Sequence, residues 1–207
     1  MGRPEIRDRI KDLTLFEKAL FQDFSKRYHA FSNRSYSNDW DLLALGQHYG
    51  LPTRLLDWTE SALVAFWFAS EKNIENNEYG VIWYYIPGEL DIIEPKVIDD
   101  NNSKPLNPFN RKSTKVFCPD YISERITAQK GWFTCHVIVN NRFLKFESMP
   151  KNKGKLGKLA IDYKMFPEIR RKLNIMGINA STIYPDLIGL NTYLKWKHLK
   201  LDNEIEM

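Results

Sequence analysis

The sequence predicts a single α+β domain over residues 1–207, in which a helical N-terminal part packs on a small mixed or antiparallel β-sheet. A chain of 207 residues can bury one compact core, and 43% hydrophobic with 14% aromatic residues excludes a disordered chain. Helical spacing of apolar residues dominates residues 14–72, whereas strand patterns and C-terminal helices alternate over residues 79–200. Residues 91–123 contain several Pro and Asn residues and are expected to form a long loop.

Two helices are predicted at the start of the helical part. Thr14 and Glu17 have the spacing of a capping box, and apolar residues at helical spacing follow as far as Phe31. Asp39 is expected to cap a second helix, which ends at Gly50 because the next residues contain proline.

A third helix is expected to be central and buried. Its residues between Leu63 and Phe68 are almost all apolar, so it has no polar face. Asp57 or Thr59 is expected to cap this helix, which would run to about Lys72.

Short strands and two more helices are predicted in the rest of the chain, from runs of β-branched and aromatic residues and from helical spacing. The expected strands are residues 80–86, 132–139, 143–146, 158–163 and 181–184. The expected helices are residues 167–176 and 185–198.

Composition favours a cytoplasmic, reduced protein without a metal site. The longest apolar run, residues 62–69, is too short to span a bilayer, and residues 1–11 lack the apolar core of a signal peptide. Cys118 and Cys135 make no disulfide framework, and no CxxC or HExxH spacing is present.

A basic stretch lies at residues 142–172, which contain ten Lys or Arg and three acidic residues. Such a patch could bind phosphate, either of RNA or DNA or of a nucleotide. A solvated Lys-rich loop explains the same composition, and the sequence leaves both interpretations open.

The densest set of polar side chains surrounds the turn at Gly50. Gln47, His48, Tyr49 and Arg54 bring an amide, an imidazole, a phenol and a guanidinium into one short segment. They are the candidates for a ligand or catalytic site, although Arg54 could instead form an internal ion pair with Asp57.

A second candidate segment precedes the strand expected at residue 132. Arg125 could bind phosphate through its guanidinium, and the carboxamide of Gln129 could both donate and accept hydrogen bonds. A charged segment before a strand is the structural alternative. The chain has no GxSxG nucleophile elbow and no phosphate-binding GxxxxGK[ST] loop.

These segments resemble the FRG domain family, which is prokaryotic and phage-associated. Residues 47–59 and the apolar helix after them resemble its central signature, residues 125–134 its second motif, and residues 173–190 its C-terminal signature. The three motifs occur in the family's order between residues 45 and 194.

The resemblance implies an ADP-ribosyltransferase-like layout with a cleft for NAD, which would be the substrate. It implies phosphate contacts from arginine, and ribose or base contacts from the amide, imidazole and phenol groups. Gln129 would orient the ribose, because a glutamine cannot act as a general base. The implied catalytic residues are His48 and Gln129, and the implied cofactor-binding residues are Gln47, Tyr49, Arg54 and Arg125.

The expected function is that of an anti-phage defence or toxin-like effector that transfers ADP-ribose or cleaves NAD, with RNA, DNA or a protein as acceptor. No Phe-Arg-Gly strand precedes the first helix, so we expect a shortened variant or one part of a longer product. The alternative is a non-catalytic module that binds a nucleotide, nucleic acid or protein. A partner chain could also complete the sheet, because an unpaired sheet edge invites pairing.

Overall fold

The structure is a computed structural model that describes residues 10–36, 38–71, 79–95, 98–99, 104–105, 107–120 and 123–199. The chain divides into two compact units. The first unit comprises Met1–Trp58, Pro87–Ile122 and Trp132–Lys153, and the second comprises Thr59–Ile86, Ser123–Gly131 and Gly154–Met207. The expectation of one domain over the whole chain stays a prediction.

Helices and short strands alternate along the described residues, which confirms the α+β class. The helices are α1 (Leu13–Arg27), α2 (Asp39–His48), α3 (Ala62–Ser70), α4 (Glu124–Ala128), α5 (Phe166–Ile175), α6 (Ala180–Ile183) and α7 (Leu187–Leu199). The strands are β1 (Leu55–Thr59), β2 (Tyr79–Tyr85), β3 (Ile98–Asp99), β4 (Lys104–Pro105), β5 (Lys115–Phe117), β6 (Gly131–Cys135), β7 (Ile138–Val139), β8 (Arg142–Phe143) and β9 (Leu156–Asp162). Within the described ranges, no helix is both long and apolar enough to cross a bilayer.

Helix α1 begins two residues earlier than the capping-box prediction required. The side chain of Asp12 caps it by accepting the backbone N–H of Leu15 at 2.9 Å. The predicted capping box of Thr14 and Glu17 is wrong, because the Glu17 side chain is 1% exposed and binds Arg54 instead. A short 3-10 turn follows α1 at its C-terminal end.

Helix α2 matches its prediction at the C-terminal end and differs by one residue at the N-terminal end. Asn38, rather than Asp39, is the cap, and its side chain accepts the N–H of Asp41 at 2.8 Å. Gly50 ends the helical segment with φ of +89°, a conformation that suits glycine.

The predicted cap of the third helix is wrong. Asp57 and Thr59 lie in strand β1, and Ser61 caps helix α3 by accepting a first-turn N–H at 3.4 Å. The helix is only partly buried, since Leu63 and Phe68 are exposed. Its predicted end at residue 72 lies outside the described residues.

Strands β1, β6 and β5 form a three-stranded sheet in that order, mostly within the first unit. β5 and β6 are antiparallel, with Phe117 opposite Phe133. The rings of these two residues stack at 5.6 Å, and Trp40 of α2 meets Phe117 edge-on at 4.9 Å. All three side chains are buried, so they form the core beneath the sheet.

The predicted long loop contains short ordered elements among its described residues. They are β3, β4, β5 and two 3-10 turns, Glu89–Asp91 and Pro108–Asn110. The strand expected at residues 132–139 is divided into β6 and β7. The one expected at residues 143–146 is replaced by β8 and a 3-10 turn at Phe146–Ser148.

In the second unit, β2 and β9 form an antiparallel ribbon in which Tyr79 pairs with Asp162 and Tyr85 with Leu156. These strands confirm two of the predicted ones, and α5 and α7 confirm the predicted late helices. The core of this unit joins α3 to α5 and α6 through buried side chains. Its members are Val64, Trp67, Leu173, Ala180 and Ile183.

The strand predicted at residues 181–184 is wrong, because this segment is helix α6. The Asn179 side chain accepts the backbone N–H groups of Ser181 and Thr182, while the Thr182 hydroxyl accepts the N–H of Asn179. This reciprocal capping box holds a single helical turn that β-branched composition alone would favour as a strand.

Candidate functional site

Gln47 ties the end of α2 to the start of β1. Its Nε2 donates to the carbonyl oxygen of Leu55 at 3.2 Å and to Oδ2 of Asp57 at 2.8 Å. Its Oε1 accepts the hydroxyl of Thr53. Both ends of the amide are therefore used within the turn, and a direct contact of Gln47 with a cofactor stays a prediction.

His48 and Tyr49 lie side by side at the C-terminal end of α2. Their rings meet edge-to-face with centroids 4.9 Å apart. His48 is half-buried, whereas Tyr49 is 73% exposed. The pair thus presents an imidazole and a phenol at a helix end, and their roles in catalysis and cofactor binding stay predictions.

Arg54 is buried in the first unit and binds Glu17. Its Nε and Nη2 lie 2.8 and 2.6 Å from Oε2 of Glu17, and its backbone N–H donates to Oε1 at 2.7 Å. Its guanidinium carbon lies 5.1 Å from the centroid of the Phe109 ring. The suggested ion pair of Arg54 with Asp57 is therefore wrong. The predicted phosphate contact stays a prediction, and the guanidinium is held inside the protein.

Arg125 lies over the ring of Tyr184 in the second unit, with the guanidinium carbon 4.0 Å from the ring centroid. Such a cation–π contact also orients the guanidinium. Burial raises the pKa of Tyr184, the carboxylate of Glu71 raises it further, and the hydrogen bond with Arg125 opposes both effects. The phenol is therefore protonated at neutral pH.

Gln129 follows helix α4 and contacts the same region. Its Nε2 donates to the backbone carbonyl oxygen of Ile183 at 3.3 Å, and the backbone carbonyl oxygen of Gln129 accepts the hydroxyl of Thr59 at 2.7 Å. The amide is half-buried and held next to Tyr184 by the neighbouring Ile183 backbone.

Residues from all three FRG-like segments meet at Tyr184. Its ring packs edge-to-face on Trp67 at 5.5 Å and on Phe68 at 6.5 Å. We call this set the Tyr184 cluster. Its members are Trp67, Phe68, Arg125, Gln129 and Tyr184.

Asp186 and Gly189 fix the backbone beside the Tyr184 cluster. Oδ1 of Asp186 accepts the N–H of Gly189 at 2.7 Å in the first turn of α7. A Cβ atom on Gly189 would overlap the carbonyl oxygen of Tyr184 and lie 2.7 Å from that of Ala180. These two residues of the third segment therefore have structural roles, because only glycine permits this close approach.

The predicted site residues divide between the two units. Arg125 and Gln129 come together with Tyr184 in the second unit. The remaining four belong to the first unit, namely Gln47, His48, Tyr49 and Arg54.

A series of side-chain hydrogen bonds in the first unit, largely buried, was not predicted from the sequence. The indole N–H of Trp58 donates to Oγ1 of Thr134 at 3.0 Å, and Oγ1 lies 3.0 Å from Nε2 of His136. Burial lowers the pKa of His136 to about 4, so the imidazole is neutral at pH 7. Its Nε2 can therefore accept a hydrogen bond from the Thr134 hydroxyl. The sequence does indicate that Thr134 and His136 lie on the same face of a strand, because they are two positions apart.

Glu17 was also missed as a partner of Arg54. The buried residues of α1 are Leu13, Glu17 and Phe21, each four positions from the next. A carboxylate on the buried stripe of a helix is expected to have an internal cation as its partner. That spacing was the signal in the sequence, although it does not identify the cation.

The basic stretch includes residues that are not available as surface cations. Arg170 is 8% exposed and donates to the carbonyl oxygen of Ser70. Lys151 lies 2.8 Å from the carboxylate of the largely buried Asp91, whereas Lys172 is an exposed cation in a surface pair with Glu168. Counting charges along the sequence therefore overstates this patch. Nucleic-acid binding stays a prediction.

No group of three or more His, Cys, Asp or Glu side chains in the part of the chain that the structure describes is placed to hold a metal ion. The Tyr184 cluster can bind a ligand through hydrogen bonds, aromatic stacking and the positive charge of Arg125.

Comparison with known proteins confirms the resemblance over part of the chain. The FRG domain model matches residues 4–78, which include the turn around Gly50 and helix α3. The second and third FRG-like segments lie outside the matched range. Residues 1–12 contain no Phe-Arg-Gly sequence, and residues 4–12 lie within the matched range. Residues 1–9 are outside the described structure. No curated protein and no solved structure matches the chain.

Proposed function

We propose that this FRG-domain protein binds NAD and transfers its ADP-ribose or cleaves it, as an anti-phage defence or toxin-like effector. The observation that supports the proposal best is the placement of Arg125 over Tyr184 at 4.0 Å, next to Gln129. Two FRG-like segments far apart in sequence thus combine a guanidinium, a phenol ring and a carboxamide in one half-buried cluster.

Arg125 is the proposed ligand for the pyrophosphate. A guanidinium binds phosphate oxygens through two parallel hydrogen bonds, and stacking on an aromatic ring reduces the freedom lost on binding. The protonated Tyr184 can add a hydrogen bond without adding negative charge, since burial raises its pKa.

Gln129 is the proposed contact to a ribose. Its Nε2 is anchored on Ile183, which directs Oε1 as an acceptor for a sugar hydroxyl. A carboxamide accepts no proton at neutral pH, so Gln129 orients the substrate and another group or solvent must take the proton during turnover. His48 keeps its predicted catalytic role as a separate hypothesis.

The test measures NAD binding by calorimetry and nicotinamide release by chromatography. Arg125→Met should weaken NAD binding by about tenfold or more, because a charged hydrogen-bond donor is lost. Arg171→Met is the matched control, since Arg171 is an exposed arginine of the same unit. Absence of both saturable NAD binding and nicotinamide release in the folded protein would refute the proposal.

Turnover is tested separately from binding. Gln129→Ala and His48→Ala should each lower nicotinamide release, and each should leave the protein folded by circular dichroism. Release at the wild-type rate in both variants would remove these residues from the reaction.

A non-catalytic nucleotide-binding module is the second candidate, favoured by the carboxamide of Gln129 where a transferase would carry a carboxylate. It predicts saturable NAD binding that depends on Arg125 while NAD remains intact. If the module instead binds RNA or DNA, its affinity should fall steeply with salt, because counterions are released from the phosphates.

A further inference from the structure

The second unit contains a pocket of about 320 Å³ that none of the proposed NAD contacts lines. We propose that this pocket binds a nucleoside monophosphate whose purine ring carries an amino group. The described residues that carry the argument are Trp67, Glu71, Arg170, Tyr193, Lys195 and Trp196. The proposal goes beyond NAD chemistry and holds whether or not the chain acts on NAD.

Aromatic rings provide surfaces on which a flat ring can stack. Tyr193 and Trp196 lie one turn apart on α7, with ring centroids 6.3 Å apart and an interplanar angle of 33°. Both are half-buried, whereas Trp67 of α3 is 5% exposed. Because every nucleobase has a π-face, aromatic side chains of this kind suit a base better than an aliphatic ligand.

The cations in the wall favour an anionic group on the ligand. Arg170 is more than nine-tenths buried, and its Nη1 donates to the carbonyl oxygen of Ser70, which fixes the guanidinium. Lys195 is exposed and adds a second cation, against one carboxylate from Glu71. A phosphate monoester carries about −1.5 to −2 charges at pH 7 and so complements this net positive lining.

Glu71 gives the pocket its preference for an amino group. A carboxylate has about four acceptor sites, so it can accept the exocyclic N–H of adenine or guanine beside its contacts within the protein. Hypoxanthine lacks both amino groups, because it has a carbonyl oxygen at C6, where adenine has its amino group, and a hydrogen at C2, where guanine has its amino group. We therefore expect binding of AMP or GMP to exceed that of IMP.

Two other polar residues line the wall, Thr192 and Asn179, and both have structural roles. The Thr192 hydroxyl donates to the carbonyl oxygen of Ile188 at 2.8 Å, and Asn179 caps α6. Oδ1 of Asn179 accepts the N–H groups of Ser181 and Thr182, and its Nδ2 donates to Asn174 at 3.1 Å. Both ends of the Asn179 amide therefore form hydrogen bonds at the cap of α6, and these bonds hold this wall in place. Ligand selection then rests on the rings and the charged groups.

The volume suits a mononucleotide. Pockets for small molecules have volumes of roughly 300–1,000 Å³, and this one lies at the lower end of that range. A base with one sugar phosphate uses the rings and the cations together.

The experiment titrates the full chain with AMP, GMP, IMP and adenosine in a calorimeter. AMP or GMP should bind saturably at one site, and adenosine should bind more weakly because it lacks the phosphate. Lys195→Met should weaken AMP binding by about fivefold or more and leave adenosine binding unchanged. Arg171→Met is the matched control, because Arg171 is an exposed cation of the same unit and does not line the pocket.

A second pair of variants tests stacking. Trp196→Ala should weaken AMP and adenosine alike, by about fivefold to 100-fold, whereas Trp196→Phe should keep most of the affinity. A folded protein that binds neither AMP nor GMP at millimolar concentration would overturn the proposal. Binding that Lys195→Met and Trp196→Ala both leave unchanged would also overturn it. NAD turnover does not enter these readouts, so failure here is distinct from failure of the proposed NAD chemistry.

Discussion

The carboxylate of Glu17 holds Arg54 at its backbone and at its guanidinium, although 37 positions separate the two residues. One oxygen accepts the backbone N–H at 2.7 Å and the other accepts Nε at 2.8 Å. Both side chains are buried, so the pair attaches α1 to the chain just before β1. Such a pair is costly to break, because the remaining charge has no access to water.

Glu17→Gln should lower the free energy of unfolding by about 3–5 kcal/mol, since it leaves the Arg54 charge without a carboxylate. Urea denaturation measures this loss. The double variant Glu17→Gln with Arg54→Met should recover part of the stability, because it carries no buried charge and keeps an amide oxygen that can accept the backbone N–H of residue 54. A loss below about 1 kcal/mol for Glu17→Gln would contradict the buried pair.

Stability should depend on pH through His136. Its folded pKa of about 4 is below the ordinary value of about 6.5, so the unfolded chain binds the extra proton. The stabilisation is therefore complete above pH 6.5 and is lost as the pH falls from 6.5 to 4, by about 3 kcal/mol at most.

Urea unfolding at a series of pH values tests this dependence. His136→Gln removes the titrating group, so its stability should fall less than that of the wild type over the same interval. Parallel curves for the two proteins would show that His136 is not the source.

Gly189→Ala should destabilise the second unit by more than about 2 kcal/mol, because the added Cβ would overlap the Tyr184 carbonyl oxygen. Thermal unfolding measures the effect. Gly154→Ala is the matched control for losing a glycine: no atom lies within 4 Å of a Cβ built there, although its φ of +76° carries some strain. Equal losses in the two variants would refute the steric explanation.

Tyr49→Ala should change the free energy of unfolding by less than about 0.5 kcal/mol, since the side chain is 73% exposed. If Tyr49 contacts the cofactor as predicted, the same variant lowers NAD affinity at unchanged stability. An unchanged NAD affinity would remove Tyr49 from the site. Tyr184→Ala provides the contrast, because Tyr184 packs on Trp67 and should cost stability as well.

Element types were predictable where one periodic pattern extended over many residues. Helices α1 and α5 follow apolar spacing at the helical period, whereas strand β2 was predicted from its run of β-branched and aromatic residues. Caps were less predictable. Three polar residues near the start of α3 could each cap a helix, and the choice of Ser61 follows from strand β1 occupying Asp57 and Thr59.

The candidate site was predictable as a set of residue types and not as a set of contacts. Arg54 and Arg125 are both arginines in FRG-like segments, yet one is buried against Glu17 and the other stacks on Tyr184. No local pattern distinguishes them, because each partner comes from a distant part of the chain. The His136 chain was missed for the same reason, since Trp58 reaches Thr134 across 76 positions.

The turn around Gly50 shows what the sequence determined alone. Its residue types identified the FRG resemblance, and the glycine fixed where α2 ends through its positive φ. The tertiary structure decided the role of each polar side chain: Gln47 ties the turn together, Arg54 pairs internally, and Tyr49 faces solvent. Local conformation follows from near neighbours in sequence, whereas the state of a charge or amide depends on burial and on partners that only folding brings within hydrogen-bonding distance.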